Sequence, residues 1–332
     1  MSARYGMTIP LDGVPLAEQR DWIAELADQG YSDLWSAEAN GTDGFTPLVL
    51  ASQWAPDARL GCAILPAYTR GPALLAMSVA SLCQAAPGRT VVGIGSSSDV
   101  IVERWNGIPF EKPYQRVRDT VRFLRRALAG EKVSETYETF SVSGFRLGPR
   151  VDLQPKILIA ALRQGMLRLA GREGDGAIIN WLSADDVKTV APIVHEAAAG
   201  RQQGAADAAR QDPEIVARIF VCPNPDSEKV RGMLRMAVNA YLNVPVYAAF
   251  HEWLGRGEQL GEMWRSWKEG DRKAAAAAIP DAVVDELIVH GPPDKCREHI
   301  ARYVANGVTT PVIGLLPLGV DPRQASRDLA PR

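Results

Sequence analysis

Short apolar runs alternate with longer amphipathic stretches along almost the whole chain. Tyr5–Pro10, Arg59–Leu65, Thr90–Ile94, Lys156–Ala161, Gly176–Asn180, Ile215–Cys222 and Thr310–Leu316 are largely apolar and bounded by Gly, Pro or polar clusters, and the shorter Ser32–Ser36 falls in the same rhythm. That pattern predicts strands. Between them, apolar residues recur at helical spacing in Leu16–Gln29, Phe45–Gln53, Ala73–Ala86, Tyr114–Leu128, Met166–Gly171, Ala184–Ala198, Glu228–Asn243 and Lys295–Asn306. Gly30 is placed to cap the first of these, and Pro87-Gly88 closes the third. Two stretches break the rhythm. Residues 131–150 alternate Thr, Tyr, Phe and Val, which predicts a hairpin-like insertion. Residues 246–283 are helical but rich in Trp, Gly and charge, which predicts an inserted helical lid. The patches Ala197–Ala209 and Ala274–Ala278 read as Ala-rich helix ends or loops.

Strands alternating with helices predict a parallel sheet. Eight strands fit a single (β/α)8 barrel domain over 1–332, with insertions. An open doubly wound sheet would carry its glycine fingerprint after the first strand. There the sequence reads Leu11-Asp12-Gly13-Val14-Pro15, and the glycine-rich loop follows strand four instead. The barrel is therefore the expected α/β fold, and its chemistry belongs at the C-terminal ends of the strands.

Composition narrows the function. The formal net charge is −2 over 332 residues, with 46% hydrophobic and 23% charged residues, so nothing predicts a nucleic-acid partner. No window approaches the ~18–20 apolar residues of a membrane span, and MSARYGMTIPLDG has no signal-peptide core. The four cysteines are scattered without a CxxC pair. A reduced, cytoplasmic enzyme with cysteines as core filler is expected. The four histidines show no HxH or HExxH spacing, so no metal is expected, and His195 and His299 read as surface residues. There is no GxSxG elbow for a hydrolase nucleophile.

Several strand ends carry candidate chemistry. Gly93–Ser98 combines glycines that admit a ring or phosphate with hydroxyls that can donate to it; the same residues also fit a tight turn with solvated serines. Arg70, in LGCAILPAYTRGP, suits an anion or a local ion pair, and the structural role is favoured. Arg163 and Gly165 flank a helix start that presents free N–H groups, a ready anion site or simply an exposed helix end. Glu38 with Asp43, and Asp99 with Glu103, are the acidic candidates. Trp105, Phe110 and Trp181 fall in loop-like contexts that suit a planar ligand.

Taken in order, LGCAILPAYTRGP (60–72), APGRTVVGIGSSS (86–98), VERWNGIPFEKPYQRVRD (102–119), LAGREGDGAII (169–179) and GPPDKCREHIARYVANGVTTPVI (291–313) resemble the bacterial luciferase-like family of (β/α)8 enzymes. They look most like its deazaflavin branch, which uses coenzyme F420. The resemblance implies a non-prolyl cis peptide at Ala63–Ile64 backing the ring. It places Glu38 near the ring or polyol, and Gly95, Ser96, Ser97 and Ser98 along the cofactor. Leu162, Arg163, Gln164 and Gly165 fall at the phosphate, with Gly176 packing beside it. Ala39, Asn40, Trp105, Phe110 and Trp181 are the expected substrate-pocket residues. Sugar-phosphate and alcohol-oxidising members carry a histidine where this chain has Ala39, and the former a glutamate at Ser98. The usual Gly-Pro-Lys is Arg163-Gln164-Gly165 here. These departures point away from an alcohol dehydrogenase with a general base and toward a reductase acting on a small molecule. The alternatives are an FMN-dependent monooxygenase of the same superfamily and a non-catalytic cofactor-binding barrel. A phosphosugar lyase would need a strand-end lysine that is not evident. Dimers are common in the family it resembles, so the resemblance leaves a homodimer open.

Overall fold

The computed structural model describes residues 4–201 and 212–331. Positions 202–209 of the Ala-rich patch lie outside the described residues. Eight parallel strands close a barrel: β1 (Gly6–Thr8), β2 (Asp33–Ser36), β3 (Arg59–Pro66), β4 (Thr90–Gly95) and then, after an antiparallel hairpin of β5 (Val133–Thr136) and β6 (Ser141–Phe145), β7 (Lys156–Ala160), β8 (Gly176–Asn180), β9 (Glu214–Cys222) and β11 (Thr310–Leu315), which returns to β1. A short strand before the last, β10 (Ile288–His290), lies alongside the end of β9. The chain is thus a (β/α)8 barrel.

Helices surround it: α1 (Arg20–Asp28), α2 (Thr46–Trp54), α3 (Pro72–Ala85), α4 (Pro113–Leu128), α5 (Gln164–Glu173) and α6 (Val187–Ala199) each follow a strand. Between β9 and β10 the chain folds α7 (Ser227–Leu242), α8 (Pro245–His251), α9 (Gly257–Lys268), α10 (Arg272–Ala277) and α11 (Asp281–Leu287). Then come α12 (Pro293–Ala305) and α13 (Pro322–Asp328). The stretch 246–278 is not one helix. A π-helical turn with Gly255 at φ 88° separates α8 from α9, a conformation glycine adopts without a Cβ penalty. The segment after β4 is also more ordered than a loop, because Val100–Trp105 forms a π-helical turn.

Side chains alternate across each strand, so every second residue enters the barrel. The lumen builds in three tiers. At the end where strands begin sit Asp33, Arg59, Glu214 and Thr310. Arg59 donates to both carboxylate oxygens of Glu214 at 2.9 and 2.5 Å and also to Asp33. Arg4 reaches Asp33 at 2.7 Å, Lys156 reaches Glu214 at 3.0 Å, and the Thr310 hydroxyl donates to Glu214 at 2.8 Å. The middle tier is apolar: Trp35, Val91, Leu158, Ile178, Val216 and Val312 form one buried cluster. Trp35 fits because its neighbours lack side chains: a Cβ on Gly61 would lie 2.3 Å from its ring, and one on Gly6 2.9 Å. The third tier, where the strands end, opens into a cavity. The larger core lies outside the barrel, between strands and helices, and takes up Met7, Leu34, Val92, Ile94, Ile159 and Ile179.

All four cysteines are buried thiols. Burial pushes Cys62 and Cys296 up to about 12 and Cys83 to about 11. His195 and His299 are half-buried rather than exposed, and His299 stacks on Tyr303 with ring centroids 5.8 Å apart. No helix among the described residues is long and apolar enough to cross a membrane.

Candidate active site at the barrel mouth

A cavity of about 670 Å³ occupies the C-terminal mouth, within the size range of small-molecule and cofactor sites. Its floor is made by Ala63, Ile64 and Gly95 above the Trp35 cluster. The Ala63–Ile64 peptide is cis, as the family resemblance implies, and the β3–β4 register shifts between Cys62 and Leu65. Gly95 keeps the floor low, since a Cβ there would stand 3.0 Å from Ile64 and Ala160.

One wall is the serine loop. Ser96, Ser97 and Ser98 all line the cavity, and Ser97 sits at φ 61°, turning the chain into the π-helical segment. Ser98 anchors that turn by accepting from the Val102 N–H at 2.9 Å through its carbonyl. The loop after β7 forms the adjoining wall with Leu162, Arg163, Gln164 and Gly165. Arg163 is the extended residue from which α5 begins, and no side chain caps that helix. Its first N–H groups therefore stay available to an anion.

Glu38 enters from the end of β2, next to exposed Ala39. Both of its oxygens accept from Arg70, at 2.8 and 2.6 Å, and the Arg70 guanidinium lies over the Phe45 ring. Arg70 thus pairs locally, and Glu38 is held rather than free. Asp43 caps α2 instead of facing the cavity, accepting from the N–H groups of Phe45 and Thr46 at 2.8 and 3.0 Å. Asp99 pairs with Arg104 at 3.2 Å.

Several expected residues lie elsewhere. Gly176 starts β8 at the opposite end of the barrel, where a Cβ would fall 2.0 Å from the Glu214 carbonyl oxygen; its role is close strand packing. Asn40 is exposed outside the cavity. Trp105 ends the π-helical turn, 55% exposed. Phe110 packs on Tyr68 at 5.4 Å between ring centroids. Trp181 is buried behind the wall, at φ 53°, its ring 4.3 Å from Phe220 and 4.4 Å from Tyr241.

The remaining wall is only partly legible in the sequence, which predicts the insert 246–283 as a lid but does not single out Arg218 or Tyr241. Asn180 ends β8, and Arg218 stands opposite it on β9 in direct register. Tyr241, Val244, Val246, Tyr247 and Trp253 close over them from the α7–α9 insert. Burial, with Tyr241 nearby, pushes the Tyr247 hydroxyl up to about 12 against the opposing pull of Arg218 and Asn180. The available signal for Arg218 was a lone arginine in the apolar run Glu214–Cys222, on the same strand face as Val216 and Phe220.

Comparisons with known proteins agree with this architecture. The family model described as luciferase-like monooxygenase matches residues 3–310. A 5,10-methylenetetrahydromethanopterin reductase of Archaeoglobus fulgidus is 28% identical over 314 residues, covering 92% of this chain and 91% of that protein. The coenzyme F420-dependent tetrahydromethanopterin reductase structure from Methanopyrus kandleri superposes with a TM-score of 0.80 at 20% identity, over 99% of this chain and 98% of that one. A type II Baeyer–Villiger monooxygenase from Pseudomonas putida in complex with FMN gives 0.67 at 17% identity, over 99% and 97%. With a barrel closed by eight parallel strands, a cavity at its C-terminal mouth and a family match across most of its length, this chain belongs to the luciferase-like monooxygenase family.

Proposed function

We propose that the chain is an F420-dependent oxidoreductase that reduces an activated C=C, C=N or C=O group of a small organic molecule. The observation that carries this reading is the shape and chemistry of the cavity. An apolar floor of Ala63, Ile64 and Gly95 adjoins the serine loop and the uncapped start of α5 with Arg163. That sequence of surfaces suits a flat ring followed by a polyol and an anionic tail. The residues fit the group: glycine leaves space at the floor, and free N–H groups stand where an anion would lie. The F420-dependent reductase fold gives stronger support than the FMN-bound one, with a TM-score of 0.80 against 0.67.

When bound, a deazaflavin donates or accepts a hydride at a ring carbon. The protein's part is positioning and exclusion of water. Ser96–Ser98, Leu162–Gly165 and Glu38, the last fixed by Arg70, hold the cofactor. The insert 246–283 acts as a lid through Val246, Tyr247 and Trp253. Ala39 and Ser98 provide no general base, which suits a reduction. Tyr247 keeps its proton through the neutral range and is the hydroxyl placed to donate to a substrate oxygen or nitrogen. His251 is fully buried and absent from the cavity wall; burial and Arg256 hold it down to about 4, so it stays neutral.

Fluorescence titration of the purified protein with oxidised F420 and with FMN, side by side, tests the assignment. Tight F420 binding with weak FMN binding is expected. The reverse, together with oxygen uptake on reduced flavin, would replace this reading with a flavin monooxygenase.

A further inference from the structure

The cavity wall contains a cation that nothing in the protein answers. Arg218 makes no hydrogen bond or ion pair among the described residues, and its Nε is fully enclosed without an acceptor. Its guanidinium rests on the Phe220 ring, 5.1 Å to the centroid, and its Nε lies 3.5 Å from where a Gly314 Cβ would stand. Asp12, exposed on the loop after β1, is the acidic group that acts on it, from beyond ion-pair distance. Asn180, its register partner, has a buried Oδ1 that is also unpartnered. The other arginines of the barrel interior and mouth are different: Arg59 is fully paired, Arg70 is locked to Glu38, and Arg163, which has no side-chain partner among the described residues, is exposed to solvent.

An arginine is charged at any physiological pH, and a desolvated charge is kept at a cost to stability unless something pairs with it. The ligand is the partner that remains. The groups around Arg218 define its chemistry: Tyr241 and Tyr247 beside the guanidinium, and Val244, Val246 and Trp253 as an apolar surround. We propose that Arg218 is the anchor of a carboxylate subsite, and that the substrate is an apolar small molecule bearing one carboxylate. The substrate role rests on the oxidoreductase reading above; the carboxylate subsite does not.

Isothermal titration with matched pairs tests it: cinnamate against cinnamamide, benzoate against benzamide, hexanoate against hexanamide, each with and without F420. At least one acid is expected to bind about tenfold or more tightly than its amide. Arg218→Met should abolish the preference, Arg218→Lys should keep part of it, and Arg163→Gln should leave it intact. Arg218→Met should also melt no lower than the parent, since it removes an unpaired charge, and should bind F420 unchanged. The proposal is overturned if no acid outbinds its amide, or if the preference survives Arg218→Met. It is also overturned if Arg163→Gln removes the preference, or if Arg218→Met lowers F420 affinity or the melting temperature instead. Failure to bind F420 would sink the cofactor reading while the acid–amide comparison still stands.

Discussion

The two ends of the barrel lumen follow opposite rules. Where the strands begin, every charged or hydroxyl side chain of the tier has a partner within the fold: Asp33, Arg59, Glu214 and Thr310 close on one another and on Arg4 and Lys156. Where the strands end, Thr8 Oγ1, Asn180 Oδ1 and Arg218 Nε are buried with no partner. Both ends are built from strands of the same sheet. The difference shows how a barrel divides labour: one end is internally satisfied and contributes stability, and the other keeps its hydrogen-bonding capacity for something that arrives from solution. Trp35 and its apolar neighbours separate the two.

This contrast can be broken from the satisfied end first. Glu214→Ala would leave the enclosed Arg59 without its main partner, and a loss of about 3–5 kcal/mol in urea unfolding is expected. A loss below about 1 kcal/mol would remove the distinction between the ends. Acidity probes the same group more gently. Burial opposes the Glu214 charge, but the Arg59 hydrogen bonds and the Arg59 and Lys156 charges outweigh it, bringing the carboxyl down to about 2 from 4.5. A folded-state value below the unfolded one means the stabilisation is complete above pH 4.5 and fades as pH falls toward 2. Melting curves across that window should show a decline worth about 3 kcal/mol from this group, reduced in Glu214→Gln.

The partition between the ends is next. Gly61→Ala forces a Cβ to 2.3 Å from the Trp35 ring, and a cost of about 1–3 kcal/mol with altered tryptophan emission is expected. The smallest effect belongs to the open end. Thr8→Val deletes a buried, unpartnered hydroxyl at almost constant shape, so stability should stay within about 1 kcal/mol of the parent or rise slightly. A larger loss would show that Thr8 Oγ1 is satisfied after all.

The fold was legible because parallel strands buried on both faces read as near-continuous apolar runs, as β4, β7, β8 and β9 do, while β2, Asp-Leu-Trp-Ser, was found by its place in the alternation with helices. What escaped was short or polar. Ile288–His290 is too brief for any periodicity, and Pro322–Asp328 is a mostly polar helix, although Asp321 before Pro322 is a start signal and does accept from the Gln324 N–H at 2.7 Å. In the site, loops made of backbone-rich residues were found, since glycine, serine and a helix start announce themselves. The aromatic reasoning misplaced Trp105, Phe110 and Trp181, because a loop position says nothing of which way a ring turns. Trp181 turns back against Phe220 and Tyr241. Arg218 was missed for the converse reason: strand periodicity was used to find apolar residues and not to ask which face a lone charge occupies.

The cavity draws its two halves from different kinds of chain. The floor and the serine wall come from the ends of two neighbouring strands, β3 and β4, and the adjoining wall from the loop after β7. Tyr241, Val244, Val246, Tyr247 and Trp253 all come from one continuous segment. Evolution or an engineer can therefore exchange one contiguous stretch of sequence, graft-like, and refit the enzyme to a new substrate without disturbing the strand ends that form the floor.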